Sequence, residues 1–280
     1  MTAKNRLRQA ANRLLKPLGL VILRTDEAQK FARYQREKDR LDLRGIVRQA
    51  AKVGFQPATV IDVGAAYGTP QLYETFPQAH HLLIEPLVEY QSALEKTKQD
   101  YAKMDIIFAA ASDHTNGITI HVHPDLVGSS TYQEDESSNV NGMPRDVATV
   151  RLDRLCKERN LRAPYLIKVD VQGAELDVIN GAEGILADTE FIVLEIALFE
   201  FYKGAPQFYD VIHAMKERGY VAYDFTEPLY RPLDDAVSQI DIAFVKENSR
   251  FREQQHYATD AQRSAQNKAL MTTFERILEE

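Results

Sequence analysis

Apolar and polar positions along this chain fall into blocks that switch between a strand period and a helix period. Five short runs, Thr59–Val63, His81–Glu85, Asp105–Ala110, Tyr165–Val171 and Phe191–Ala197, are almost continuously apolar, the pattern of strands buried on both faces. Segments with helical spacing intervene or follow, among them Leu87–Lys103, Ala174–Asn180 and Gln207–Arg218. Such alternation predicts a mostly parallel sheet covered by helices on both sides. Two further runs, Tyr220–Phe225 and Asp241–Val245, have only a loop carrying Pro228 and Pro232 between them, so they predict a hairpin whose final strand runs antiparallel. The stretch from Asn116 to Val150 breaks the alternation. Its run Ile118–His123 predicts a strand, and the Gly, Ser and Asn-rich segment Gly128–Gly142 predicts either a lid or acceptor-binding loop near the C-terminal rim of the sheet, or a surface insertion without order.

The two ends read differently from the middle. Leu7, Ala10, Ala11, Leu14, Leu15 and Leu18 recur at helical spacing, with Lys4, Arg6, Arg8, Arg13 and Lys16 on the other faces, which predicts an amphipathic helix. It is expected either to pack on the main domain or a second subunit, or to attach peripherally to anionic lipid at the inner membrane face. Charge interrupts this segment too often for it to span a membrane, and it has no cleavage-site pattern, so a cytoplasmic protein is expected. A polar helical stretch continues to Lys52, and beyond Glu247 the chain is polar and helix-prone, suited to a C-terminal helix or an oligomer arm. The expected organisation is a helical extension over 1–52, a main domain over 53–248 and a helical tail over 249–280. With 280 residues, 44% of them hydrophobic, the chain can build one large core. A net charge of −7 argues against a nucleic-acid backbone as partner. The single Cys156 excludes an internal disulfide and a cysteine zinc site, and it is expected to serve helix packing.

The chemistry concentrates at strand ends. VIDVGAAYG, Val60–Gly68, reads as a buried strand that ends in Asp62 and turns through Gly64 and Gly68 into a helix. A dinucleotide fingerprint would place a glycine where Ala66 stands, so a pyrophosphate is poorly served. Glu85 closes the next strand twenty-one residues after Gly64, the spacing at which a carboxylate meets a ribose diol. A ribose acid without a surplus of phosphate-binding amides favours a cofactor carrying a ribose and a cation, as S-adenosylmethionine does. Asp170, delivered to the rim by Leu166–Val171, is the first choice to orient or deprotonate an acceptor hydroxyl or to balance the cofactor's charge. Glu175 falls in the first turn of the following helix, where the helix dipole favours an acid. Glu195 ends the adjacent strand. With Asp170 it can share a divalent ion or act separately as an acceptor of hydrogen bonds, and the metal-free arrangement is preferred because no third ligand is evident. His121 and His123 share a strand face, which is weak grounds for a metal pair. Ser129, Ser130 and Thr131 have no histidine and acid partners at triad spacing, but they are suited to binding an acceptor.

Together VIDVGAAYG, LLIEP, the AASD turn at Ala110–Asp113, GSST at Gly128–Thr131, VRLD at Val150–Asp153 and IKVDVQGAELDVINGA at Ile167–Ala182 resemble the FkbM family of S-adenosylmethionine-dependent methyltransferases over Thr59–Lys246. The resemblance implies the class I methyltransferase fold, a Rossmann-like three-layer sandwich whose seven-stranded sheet has a reversed last strand. It also implies O-methylation of a sugar, glycolipid or natural-product hydroxyl in bacteria. On this reading Asp62, Gly64, Ala66, Tyr67 and Gly68 line the methionine and ribose side. Glu85 and Pro86 hold the ribose, and Ala111, Ser112 and Asp113 flank the adenine. Ser130, Thr131 and Glu195 face the acceptor, Asp170 assists the transfer, and no metal takes part. A nicotinamide-dependent oxidoreductase shares the strand, turn and ribose acid but needs a hydride-site pair that is not evident. A cofactor-binding module without catalysis is the remaining alternative.

Overall fold

The computed structural model describes residues 40–134, 141–226 and 228–279. The expected N-terminal amphipathic helix, with its membrane and subunit readings, lies outside them, as do residues 135–140 of the expected lid.

The seven apolar runs become the seven strands that order the central sheet. In chain order the strands are β1 (Thr59–Val63), β2 (His80–Ile84), β3 (Met104–Ile107), β4 (Ala110–Ala111), β5 (Ile118–Val122), β6 (Met143–Val147), β7 (Thr149–Val150), β8 (Tyr165–Val169), β9 (Thr189–Ala197), β10 (Tyr220–Phe225), β11 (Leu229–Tyr230) and β12 (Val237–Lys246). The sheet order is β10-β12-β9-β8-β1-β2-β3, with β11 paired to β12. Every neighbour pair from β9 to β3 is parallel, and β12 runs antiparallel to both β9 and β10, as the hairpin without an intervening helix predicts. Every residue of β1 and β8 is buried, which explains why both are apolar but for Thr59, Asp62 and Lys168.

Side chains alternate between the two faces, and each face carries its own core. On one, Val60, Leu83, Leu166 and Val193 pack with helix α1 (Leu43–Lys52), α2 (Pro70–Thr75) and α3 (Gln91–Lys98). On the other, Ile61, Leu82, Ile167 and Ile192 pack with α4 (Leu152–Glu158), α5 (Glu175–Asn180), α6 (Glu183–Leu186) and α7 (Phe208–Glu217). The α1 helix starts where the Asp42 side chain accepts a hydrogen bond from the Gly45 N–H at 2.8 Å, and it drives Ile46, Val47 and Ala50 into the first core, where Phe251 also lies. Cys156 is buried in α4, where burial pushes its thiol pKa up to about 12. A last helix, α8 (Asp260–Glu279), leaves Leu270, Met271 and Phe274 exposed.

Two local differences from the sequence reading have physical causes. The segment over 118–147 is an antiparallel ribbon of β5 with β6, and MPRDV of β6 gives no apolar alternation because none of its side chains is buried. The span Leu87–Lys103 is a single 3-10 turn, Val88–Tyr90, followed by the shorter α3. Among the described residues no helix is long and apolar enough to cross a membrane.

Candidate active site

Register brings the strand ends to one edge. Val63 pairs with Ile84 on one side and Val169 on the other, Val169 pairs with Leu194, and Glu195 pairs with Asp241. The chain therefore leaves β1 at Gly64, β2 at Glu85 and β8 at Asp170 side by side, the usual position of ligands in open α/β sheets. Gly64 has φ +72°, and a Cβ there would lie 1.8 Å from the carbonyl oxygen of Asp170, so no side chain fits. The turn is then fastened to β2. Gly64 N–H and Ala65 N–H donate to the Ile84 carbonyl at 2.9 and 3.3 Å, and Ala66 N–H donates to Glu85 Oε2 at 2.9 Å.

Glu85 is 4% exposed and accepts from Leu87 N–H with its other oxygen, also at 2.9 Å. Burial raises its pKa, partly offset by these two backbone donors. Above it opens a cavity of about 110 Å³ that continues into solvent. Ile84, Ala109, Ala110, Ala111, Ile120 and Leu126 give it apolar walls, and Gly64, Ala66, Glu85, Pro86, Ser130, Thr131, Asp170 and Gln172 complete the lining. Its described lining contains two acids and no Lys, Arg or His.

Asp170 has about a third of its side-chain surface accessible, 33%, although its neighbours bury the rest. The Lys168 ammonium donates to Asp170 Oδ2 at 3.1 Å and to the Gly64 carbonyl at 3.5 Å, and stands 3.9 Å from Asp62 Oδ1. Gln172 Nε2 donates to Asp170 Oδ1 at 3.0 Å and to Glu195 Oε2 at 2.7 Å; Gln239 Nε2 adds a bond to Glu195 at 2.9 Å. Burial alone would raise the Asp170 pKa, but the Lys168 charge and the hydrogen bonds outweigh it and hold this carboxyl below its usual range. Glu195 goes the other way. Burial first, then the neighbouring Asp170 charge, pushes its pKa up to about 9, opposite in direction to that of Asp170.

The structure thus gathers Gly64, Ala66, Glu85, Pro86, Ala111, Ser130, Thr131 and Asp170 around one cavity. Asp62 lies beneath the floor with no exposed surface, hydrogen-bonded to the Tyr73 hydroxyl. Tyr67 stands outside the lining with its ring 4.7 Å from that of Tyr90, a lining residue. Gly68 closes the turn by donating to the Ala65 carbonyl at 2.6 Å. Ser112 is buried, and its hydroxyl donates to the exposed Asp113 at 3.3 Å. Glu195 sits behind Asp170 and borders a second cavity with Asp241. His123 pairs with Asp125 at 2.7 Å, and among the described residues no group of three or more His, Cys, Asp or Glu could hold a metal ion. Lys168 and Gln172 escaped the sequence reading. The signal for Lys168 was present: a lysine inside an otherwise apolar buried strand, two residues before Asp170 and so on its face.

The donor set can be tested against the cofactors considered. A pyrophosphate needs cations or a run of free amides, and this lining offers two carboxylates. A ribosyl sulfonium needs hydrogen-bond acceptors for a diol, apolar walls for a purine and negative charge near a cation; Glu85, the Ala109–Ala111 wall and Asp170 supply these in one cavity. The model of the methyltransferase FkbM domain matches residues 62–222. The chain belongs to the FkbM methyltransferase family. It is 30% identical over 172 residues to the 2-O-methyltransferase NoeI of Sinorhizobium fredii, spanning 56% of this chain and 71% of that protein. Among solved structures, the magnesium protoporphyrin IX methyltransferase ChlM of Synechocystis with bound cofactor aligns over 88% of this chain and 98% of its own, at 10% identity and TM-score 0.39. The precorrin-6y C5,15-methyltransferase of Geobacter metallireducens aligns over 74% and 90%, at 11% identity and TM-score 0.38. This FkbM chain is an S-adenosylmethionine-dependent methyltransferase with a class I, Rossmann-like fold.

Proposed function

We propose that this enzyme methylates a hydroxyl oxygen of a sugar, glycolipid or natural-product acceptor. The observation that carries the reading is the pair of carboxylates, at the ends of the two strands that flank β1, in a cavity without a basic side chain in its described lining. Glu85 would receive the ribose hydroxyls, each of its oxygens keeping a lone pair beyond its backbone bond. The Ala109–Ala111 wall would cover the base, and Gly64 and Ala66 would let the backbone close on the donor. Ser130, Thr131 and Asp170 would border the acceptor. Bound S-adenosylmethionine supplies an electrophilic methyl group on a sulfonium. The protein holds the acceptor oxygen in line with it, so positioning does most of the work. Asp170, ionised at neutral pH, accepts the hydroxyl hydrogen bond and takes the proton as charge leaves the oxygen. The name of the 2-O-methyltransferase NoeI supports an oxygen acceptor.

Calorimetry with S-adenosylmethionine, S-adenosylhomocysteine and NAD, followed by a radiolabelled methyl-transfer screen over deoxysugars and glycolipids, tests this reading. Binding of the two sulfur compounds but not NAD, with label entering a hydroxyl, is expected. Label confined to nitrogen, sulfur or carbon acceptors would overturn it.

A further inference from the structure

We propose that Gln172 is a positioning residue for methyl transfer: its side-chain amide clamps the carboxyl groups of Asp170 and Glu195 on adjacent strands and so fixes how Asp170 faces the cavity. This rests on the role given to Asp170 above.

The geometry engages the donor end of the side chain completely. Both N–H bonds of Nε2 are spent, on Asp170 Oδ1 at 3.0 Å and Glu195 Oε2 at 2.7 Å, while Oε1 lies 3.4 Å from the Tyr202 hydroxyl, whose one hydrogen also faces the Gly128 carbonyl at 3.2 Å. Turning the amide over would aim its carbonyl at the Asp170 carboxylate, so the orientation is set by that partner. The backbone of Gln172 is held as firmly: its carbonyl accepts from Ser130 Oγ at 2.6 Å. It sits at φ +57°, a left-handed conformation that costs a residue with a Cβ about 1 kcal/mol and that glycine adopts freely. A strained residue whose side-chain donors are fully engaged beside the reacting centre is the pattern in which strain serves a site.

The clamp answers a particular difficulty. Strand register sets Asp170 beside Glu195; the groups facing Asp170 are Lys168 on its own strand, Glu195 on β9, Asp241 on β12 and Glu175 on α5, while Asp62 on β1 faces Lys168. One cation among four acids would leave Asp170 free to swing toward Lys168 and away from the cavity. Gln172 opposes that pull, because Lys168 holds Oδ2 and the amide holds Oδ1.

Gln172→Gly keeps the left-handed backbone and removes the whole side chain; Gln172→Met fills the same space without a donor. Both are compared with the wild-type chain in complex with S-adenosylhomocysteine, by carboxyl-carbon NMR titration with the Asp170 resonance assigned from its loss in Asp170→Asn. In both variants Asp170 is expected to titrate at least about one pH unit higher than in wild type, a tenfold change in proton affinity. Affinity for S-adenosylhomocysteine is expected to stay within about threefold. An Asp170 titration that does not move in either variant overturns the inference, as does a matching loss of S-adenosylhomocysteine affinity. Failure of the wild-type chain to bind S-adenosylhomocysteine overturns the underlying reading instead.

Discussion

Asp170 meets the cavity with both oxygens already held, one by an ammonium and one by an amide, and its charge is fixed by Lys168 rather than by solvent. Replacing it with Asn keeps the shape and removes the charge. Turnover of Asp170→Asn is expected to fall by about 10²–10⁴, the range of general acid–base contributions, with S-adenosylhomocysteine affinity within about threefold of wild type by calorimetry. Gly64 presents the opposite case, where space decides. The carbonyl of Asp170 occupies the place of its missing Cβ, so Gly64→Ala must push β1 from β8 and is expected to cost about 3 kcal/mol or more, read from urea unfolding. Gly64, Glu85 and Asp170 were legible in the sequence because each closes an apolar run. Lys168 is marked in the sequence by its place in an apolar strand two residues before Asp170, Gln172 is not marked because what gives it meaning is a partner on another strand, and Asp62, which the sequence places on the donor side, lies under the floor because its side chain follows the inward face of β1.

At the level of elements, the junction from β8 to α5 shows how a buried acid is tolerated. Glu175 opens α5, and its Oε1 accepts from Gly173 N–H at 3.1 Å; burial nevertheless raises its pKa to about 7 from 4.5. Between pH 4.5 and 7 the native state therefore holds a proton that the unfolded chain has lost, and stability falls as pH rises through that window. Glu175→Gln retains the accepting oxygen and removes this slope. The variant is expected to match wild type near pH 4.5 and to exceed it at pH 8 by roughly 1–3 kcal/mol, compared by urea melts at both values. β1, β2, β8 and β9 were legible because strands buried on both faces are written as nearly continuous apolar runs. The β5–β6 ribbon was half legible. Its second strand exposes both faces, so nothing in MPRDV marks it.

Across the whole molecule, one sheet with a core on each face joins residues as distant as Ile46 and Phe251. Its layered plan follows from alternation alone, whereas the packing of α1 into the first core could not be read, since a polar-rich helix shows which face is apolar but not what that face will meet. The same sheet has an awkward order of assembly. β12 lies between β9 and β10 although it follows both in the chain, and it carries Ala243, Phe244 and Val245 into the two cores. Until those residues leave the ribosome, β9 keeps a bare edge with Phe191, Val193 and Leu194 beside it, the kind of open edge that invites association between chains. A chain ending at Ala236 is expected to be recovered insoluble or to show no cooperative melting transition. Synthesis must therefore run nearly to the end of the domain before the molecule can close, and a partly made chain depends on being shielded from its neighbours for that interval.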